Sequence, residues 1–410
     1  MLAYSLNSTM GTDDSAYNGN FYLLMSMFVL IITMSSTLDV NVDGWSLTMI
    51  PHEKLKIAAI CNYIGTAIGP FLSLELLIII TSKTFHDHIK EYINLDENTQ
   101  YHLPILLKYY LLILSACIFI FTTCLIFKKS DNTHKKISIR TVYVEFFNLI
   151  KHKPVIKYVL ILITSKIGYI ATEHVAYLRL IQCGLDMDIN ALITTPILLL
   201  KLIISPFVNW YVAKPESKPL QIFYKTVIFR TFAALIIAYI VQYMCYELIQ
   251  LKNEILIMDY QNVTLLYSQD NVNSFNHIEF KPPVYTYIAI FVITLIISIF
   301  EMFTFLPFIS FNLQISDPYI GGSSMTLFYM SYNIANTLTI SLAMYIMSFA
   351  TRHVELNFEK IKHVYILRDG YLAVSFLLFC FGLIIMLIVR RTISDMSKYP
   401  LKYWNPKFNK

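Results

Sequence analysis

About nine stretches of this chain are long and apolar enough to become membrane-crossing helices, and that repetition limits what it can fold into. They fall near residues 21–38, 55–82, 104–127, 155–181, 188–212, 220–250, 283–312, 320–349 and 370–389. At ~1.5 Å rise per residue, roughly 20 residues cross a hydrocarbon core of about 30 Å. Lipid offers backbone groups no water to bond, so runs of this length imply helices. Composition agrees. The 410 residues are 56% hydrophobic and 14% charged, where a soluble domain carries about 25% charged residues. The expected fold class is an all-α polytopic membrane protein.

Charge placement gives the expected topology. No Lys or Arg precedes Lys54, so a cleaved signal peptide is not expected and the N-terminus is placed outside the cytosol. Lys and Arg crowd the segments around Lys54 and Lys56, Lys128 to Lys153, Lys214 and Lys218, and the tail from Arg390. The alternate segments hold roughly half as many, so the crowded side reads as cytosolic. The expected organisation is a polar start (1–20), a partial bundle of about three spans (21–127), a linker (128–154), a bundle of about six spans (155–392) and a basic tail (393–410). Pro70, Pro196, Pro206 and Pro307 lie within runs and are kink candidates.

An ionised side chain at mid-bilayer costs ~2.5–3.5 kcal/mol on insertion scales, so charges within runs need a reason. Lys166 and Glu173 are seven apart, on one face of a continuous helix. They either pair or open onto an anionic cargo. Arg179, near the end of that run, reads as snorkelling to the interface. In the sixth run Tyr224, Lys225 and Arg230 offer a ring for a nucleobase and cations for phosphates; head-group contact is the alternative for Lys225. Lys201 is also deep. Glu75 and Glu301 are intramembrane acids that either carry a proton in coupled transport or pair with a lysine elsewhere.

Four further groups of residues stand out. Asp39 and Asp43 are four apart beside Gly44 and Trp45, at a helix end in the head-group zone or at a gate. Asp317 and Pro318 suit an N-cap and first helical residue before Gly321 and Gly322. The glycines permit close helix approach, or meet an anion as part of a gate. Asn62, Asn333 and Asn336 line a cavity or bond between helices. Asn262, in Asn262-Val263-Thr264, is a glycosylation candidate in a polar loop, and Asn7-Ser8-Thr9 is a second sequon. The six cysteines are scattered at 61, 117, 124, 183, 245 and 380 without metal-like spacing, so no metal, cofactor or disulfide framework is expected.

Several motifs carry a resemblance in order: DVNVDGWSLTMI from Asp39, CNYIGTAIGPFL from Cys61, TSKIGYIATEHV from Thr164, PLQIFYK from Pro219, ISDPYIGGSSMTL from Ile315 and DGYLAVS from Asp369. Together they resemble the acetyl-coenzyme A transporter family, a branch of the major facilitator superfamily. The resemblance implies a facilitator-like bundle matching the family's helices four to twelve, with one to three lacking. It implies a carrier of acetyl-CoA from the cytosol into an endoplasmic-reticulum-type lumen, with the bilayer as partner and proton coupling open. Two other readings stand beside it. One is a truncated or non-transporting remnant. The other is a membrane-embedded acyltransferase, for which His174 is the only histidine in a run and has no nucleophile or metal spacing beside it. No enzyme activity and no nucleic-acid partner are expected.

Overall fold

A computed structural model describes residues 17–49, 55–77, 103–127, 139–185, 187–214, 217–267, 282–317, 320–358 and 361–404. Asn7, Pro318 and the start of the linker (128–138) lie outside them. The helices are α1 (Tyr17–Met49), α2 (Leu55–Pro70), α3 (Leu103–Phe127), α4 (Ile139–Lys151), α5 (Lys153–Ser165), α6 (Ile170–Gln182), α7 (Met187–Ala213), α8 (Pro219–Tyr267), α9 (Val284–Ile315), α10 (Gly321–Ala350) and α11 (Tyr371–Met396). A short 3-10 turn, Leu401–Trp404, ends the described chain.

Among the described residues, seven helical stretches are long and apolar enough to cross a membrane. Two shorter apolar helices, Ala58–Ser73 and Lys108–Cys124, fall in the second and third runs. Every apolar run therefore holds a helix, as an all-α polytopic protein requires. One antiparallel hairpin interrupts this pattern: β1 (Arg352–Phe358) pairs with β2 (Ile361–Arg368), Phe358 opposite Ile361 and Val354 opposite Tyr365. It joins α10 to α11. Asn262 is also placed differently. It lies within α8, which runs on to Tyr267, and not in a loop.

The prolines act as their chemistry dictates. Pro70 ends the regular part of α2, and the chain continues as a π-helical turn, Phe71–Glu75. A residue without an N–H cannot close the local bond, and a π turn absorbs the misfit. Pro196, Pro206 and Pro307 are carried inside α7 and α9.

The fourth run is not one helix. It breaks into α5 and α6 around the turn Lys166–Tyr169, where Tyr169 and Ile170 both donate N–H to the Lys166 carbonyl, at 3.2 and 3.1 Å. Gly168 lets this turn meet α11 backbone to backbone: a methyl group on Gly382 would lie 2.6 Å from the Gly168 nitrogen. A second close approach seats α1 on α10. A methyl group on Gly322 would sit 2.5 Å from the Val40 carbonyl oxygen. Small residues at crossings let helices gain packing contact where lipid supplies no hydrophobic drive. The described part of α10 begins at Gly321. Ile320 holds the N-cap position without a side-chain bond, and the Asp317 carbonyl accepts the Ile320 N–H at 3.1 Å.

The core is aromatic at one end of the bundle. Tyr158 of α5 packs edge-on to Phe311, Phe328 and Trp404, and its hydroxyl donates to Asn312 at 2.6 Å. On α9 and α10, Phe308 stacks on Tyr332 with centroids 4.3 Å apart.

The glycine contact gives a stability prediction. Gly382→Ala forces a methyl into backbone and should cost ~1–3 kcal/mol, as overpacking does. Gly65→Ala, with nothing within 4 Å, should be neutral or slightly stabilising. Thermal unfolding of the detergent-purified variants measures both.

Candidate functional site

The helix break places a cation in the bundle interior. Lys166 closes α5 and is 2% exposed. Its ammonium lies 2.9 Å from the centroid of the Tyr332 ring, the ring that Phe308 holds by stacking. An aromatic face partly compensates a desolvated cation through its quadrupole. The expected partner on the same helical face, Glu173, is engaged elsewhere, because the turn at 166–169 resets the direction of the faces.

Glu173 is taken by Arg230 of α8. The guanidinium donates from Nε to Oε1 at 2.8 Å and from Nη2 to Oε2 at 2.6 Å. Both side chains are 5% exposed. The guanidinium carbon lies 4.4 Å from the Tyr169 ring centroid. Planar, two-pronged pairing of this kind suits arginine and not lysine. Arg230, read from sequence as a phosphate ligand, is thus first a structural strut between α6 and α8.

A second buried pair ties α6 to α11. Arg179 donates to Asp369 Oδ2 from Nε at 3.0 Å and Nη2 at 2.6 Å, and to Gln182 Oε1 from Nη1 at 2.9 Å. Arg179 does not snorkel outward; it is buried, because a carboxylate at the start of α11 meets it. Asp369 Oδ1 also accepts the Tyr371 N–H at 3.0 Å. A third pair, Lys201 with Glu301 at 2.8 Å, links α7 to α9. Lys166, Glu173, Arg230 and Glu301 lie within electrostatic range of one another.

Other sequence candidates fall outside this cluster. The Tyr224 hydroxyl donates to the Met386 carbonyl at 3.2 Å, which fixes the ring between α8 and α11. Lys225 is exposed and shares a face with exposed Phe229, Phe232 and Ile236; that stripe faces outward. Asn62 and Asp43 are half-buried and approach Tyr329 of α10 from α2 and α1, whereas Asp39 is exposed. Gly321 and Gly322 are packed against α1. Sequence reading missed Tyr332, Tyr169 and Asp369. Asp369 had a signal: an acid opening a run, inside a matched motif.

Membrane-length helices around a charged interior define a polytopic α-helical membrane protein with a polar core. The profile described as acetyl-coenzyme A transporter 1 matches residues 3–137 and 128–406, and the chain belongs to that family. An uncharacterized protein of Schizosaccharomyces pombe is 23% identical over 355 residues, covering 83% of this chain and 60% of that protein. An uncharacterized membrane protein of Saccharomyces cerevisiae is 34% identical over 94 residues, 21% of this chain and 17% of its own. The chain thus spans 60% or less of the length of these relatives. No solved structure matches.

Removing one member of the Arg230–Glu173 pair should be costly. Arg230→Gln leaves a buried carboxylate alone and is expected to cost ~3–5 kcal/mol, whereas Arg230→Met with Glu173→Leu should recover most of it. Unfolding of the purified proteins in detergent checks both.

Proposed function

We propose that this protein carries acetyl-CoA from the cytosol into an endomembrane lumen of endoplasmic-reticulum type, as a major facilitator-like carrier. The charge bias of its connecting segments favours a lumenal N-terminus and a cytosolic C-terminus. The family's description supplies the substrate. The observation that carries the reading is Lys166: a buried cation, presented by a broken membrane helix, whose charge rests on a tyrosine ring and on no bonded carboxylate among the described residues. Interrupted spans recur at mid-membrane cargo sites, because the break turns side chains and backbone groups toward the cavity. An anion with several phosphates gains most from such a cation, since little water screens it.

Arg230 adds field to the site while Glu173 holds it in place. Asn62 and Asp43, facing Tyr329 between α1, α2 and α10, are proposed to line the gate rather than the cargo seat. Gly321 and Gly322 are proposed to serve that gate by keeping α1 and α10 in close contact. Lys225 and Tyr224 are assigned no cargo contact.

Proteoliposomes holding the purified full chain should accumulate labelled acetyl-CoA. Lys166→Ala should reduce uptake about tenfold or more, equivalent to ~1.4 kcal/mol or more, and Lys225→Ala should leave it within about twofold. Full uptake by Lys166→Ala would remove the site. No uptake by the wild type would favour the non-transporting reading.

A further inference from the structure

The Lys201–Glu301 pair differs in kind from the other two. Both residues sit mid-helix, Lys201 within Met187–Ala213 and Glu301 within Val284–Ile315. Yet their side chains are 23% and 46% exposed, against 5% each for Arg230 and Glu173. Their contact is one bond of 2.8 Å, where Arg230 grips both oxygens of Glu173. Ionised groups at mid-depth do not face hydrocarbon; they face one another or a water-filled cavity. This pair does the first and keeps exposed surface besides, which calls for an aqueous opening and not for lipid.

Titratable groups face it from several helices. Around Glu301 stand Lys201 on α7, Arg230 on α8, Lys166 and Tyr169 on the turn, Glu173 and His174 on α6, Tyr63 on α2 and Tyr332 on α10. Counted by formal charge, three basic and two acidic side chains share this interior, an excess of one basic group. That is little for a polyphosphorylated anion. Neutralising Glu173 would leave Arg230 buried and unpaired, which is costly. Neutralising Glu301 would not, because the Lys201 side chain is 23% exposed where that of Arg230 is 5% exposed.

We propose that Lys201 is a second anion seat beside Lys166, and that Glu301 is its removable occupant. As a cargo phosphate takes the Lys201 ammonium, the Glu301 carboxylate accepts one proton from solution and lets go. When the anion leaves, Glu301 releases that proton and returns to Lys201. Anion and proton therefore enter the site together. This deepens the transport reading and rests on it.

Linkage sets the sign. A proton taken up on binding makes binding tighter as pH falls, by up to about tenfold per pH unit. The test uses the purified full chain in detergent, with acetyl-CoA as probe, weak buffer and a pH-indicator dye. The wild type should take up about one proton per acetyl-CoA bound. Glu301→Gln should still bind, with no proton uptake and no pH dependence. Binding by the wild type without proton uptake overturns the proposal, as does proton uptake that persists in Glu301→Gln. No binding by the wild type overturns the transport reading itself, and this one with it. Should Glu301→Gln fail to fold, infrared difference spectra of the wild type decide. A carboxylic-acid carbonyl band that appears with acetyl-CoA supports the proposal, and its absence overturns it.

Discussion

A guanidinium and a carboxylate, Arg230 and Glu173, meet in the middle of this bundle with both oxygens and two nitrogens engaged. Neither charge is tolerable there alone. Their union fixes α6 against α8, and it has a second effect on the neighbouring turn. Because Glu173 is spoken for, Lys166 is left with the Tyr332 face. The strong pair thus creates the weakly held cation. The graded exposure of the ion pairs follows the same logic, from the sealed Arg230–Glu173 contact to the half-open Lys201–Glu301 contact.

Most of the architecture was legible in the sequence. Apolar runs of helix length became helices because lipid leaves the backbone no other partner. What failed was geometry inside a run. Lys166 and Glu173, seven apart, promise one face only if the helix is continuous, and Gly168 sits where it breaks. Partners far apart in sequence were hidden for the same reason. Nothing local links Arg179 to Asp369 or Lys201 to Glu301; only the packing of α6 on α11 and of α7 on α9 does. The pairing of intramembrane acids with lysines was a fair expectation for Glu301, although the partner was not readable. The hairpin after α10 and the helical setting of Asn262 were missed because both lie beyond the apolar runs, where periodicity says little.

The outer surface is consistent with this interior. Along α8, exposed Phe229, Phe232, Ile236 and Tyr239 form one stripe, while Arg230 and Thr231 are buried between its members. A lateral groove of about 700 Å³ between α8 and α11, lined by Leu235, Ile236, Tyr239, Leu372, Ala373 and Phe376, is apolar apart from Tyr239 and Asp369. Asp369 is already held by Arg179. The groove suits acyl chains better than a charged solute.

Trp404 adds a constraint of a different sort. It is fully buried, with its ring against Tyr158 and Phe311 at 5.9 and 5.3 Å, and the adjacent Tyr403 carbonyl meets the His152 ring at 2.8 Å. The first half of that contact is synthesised some 250 residues before the second. During translation, this contact stays open until the segment around Trp404 has been made. Closure of this socket therefore waits on a segment far along the chain, and membrane chaperones would meet open aromatic rings until it forms.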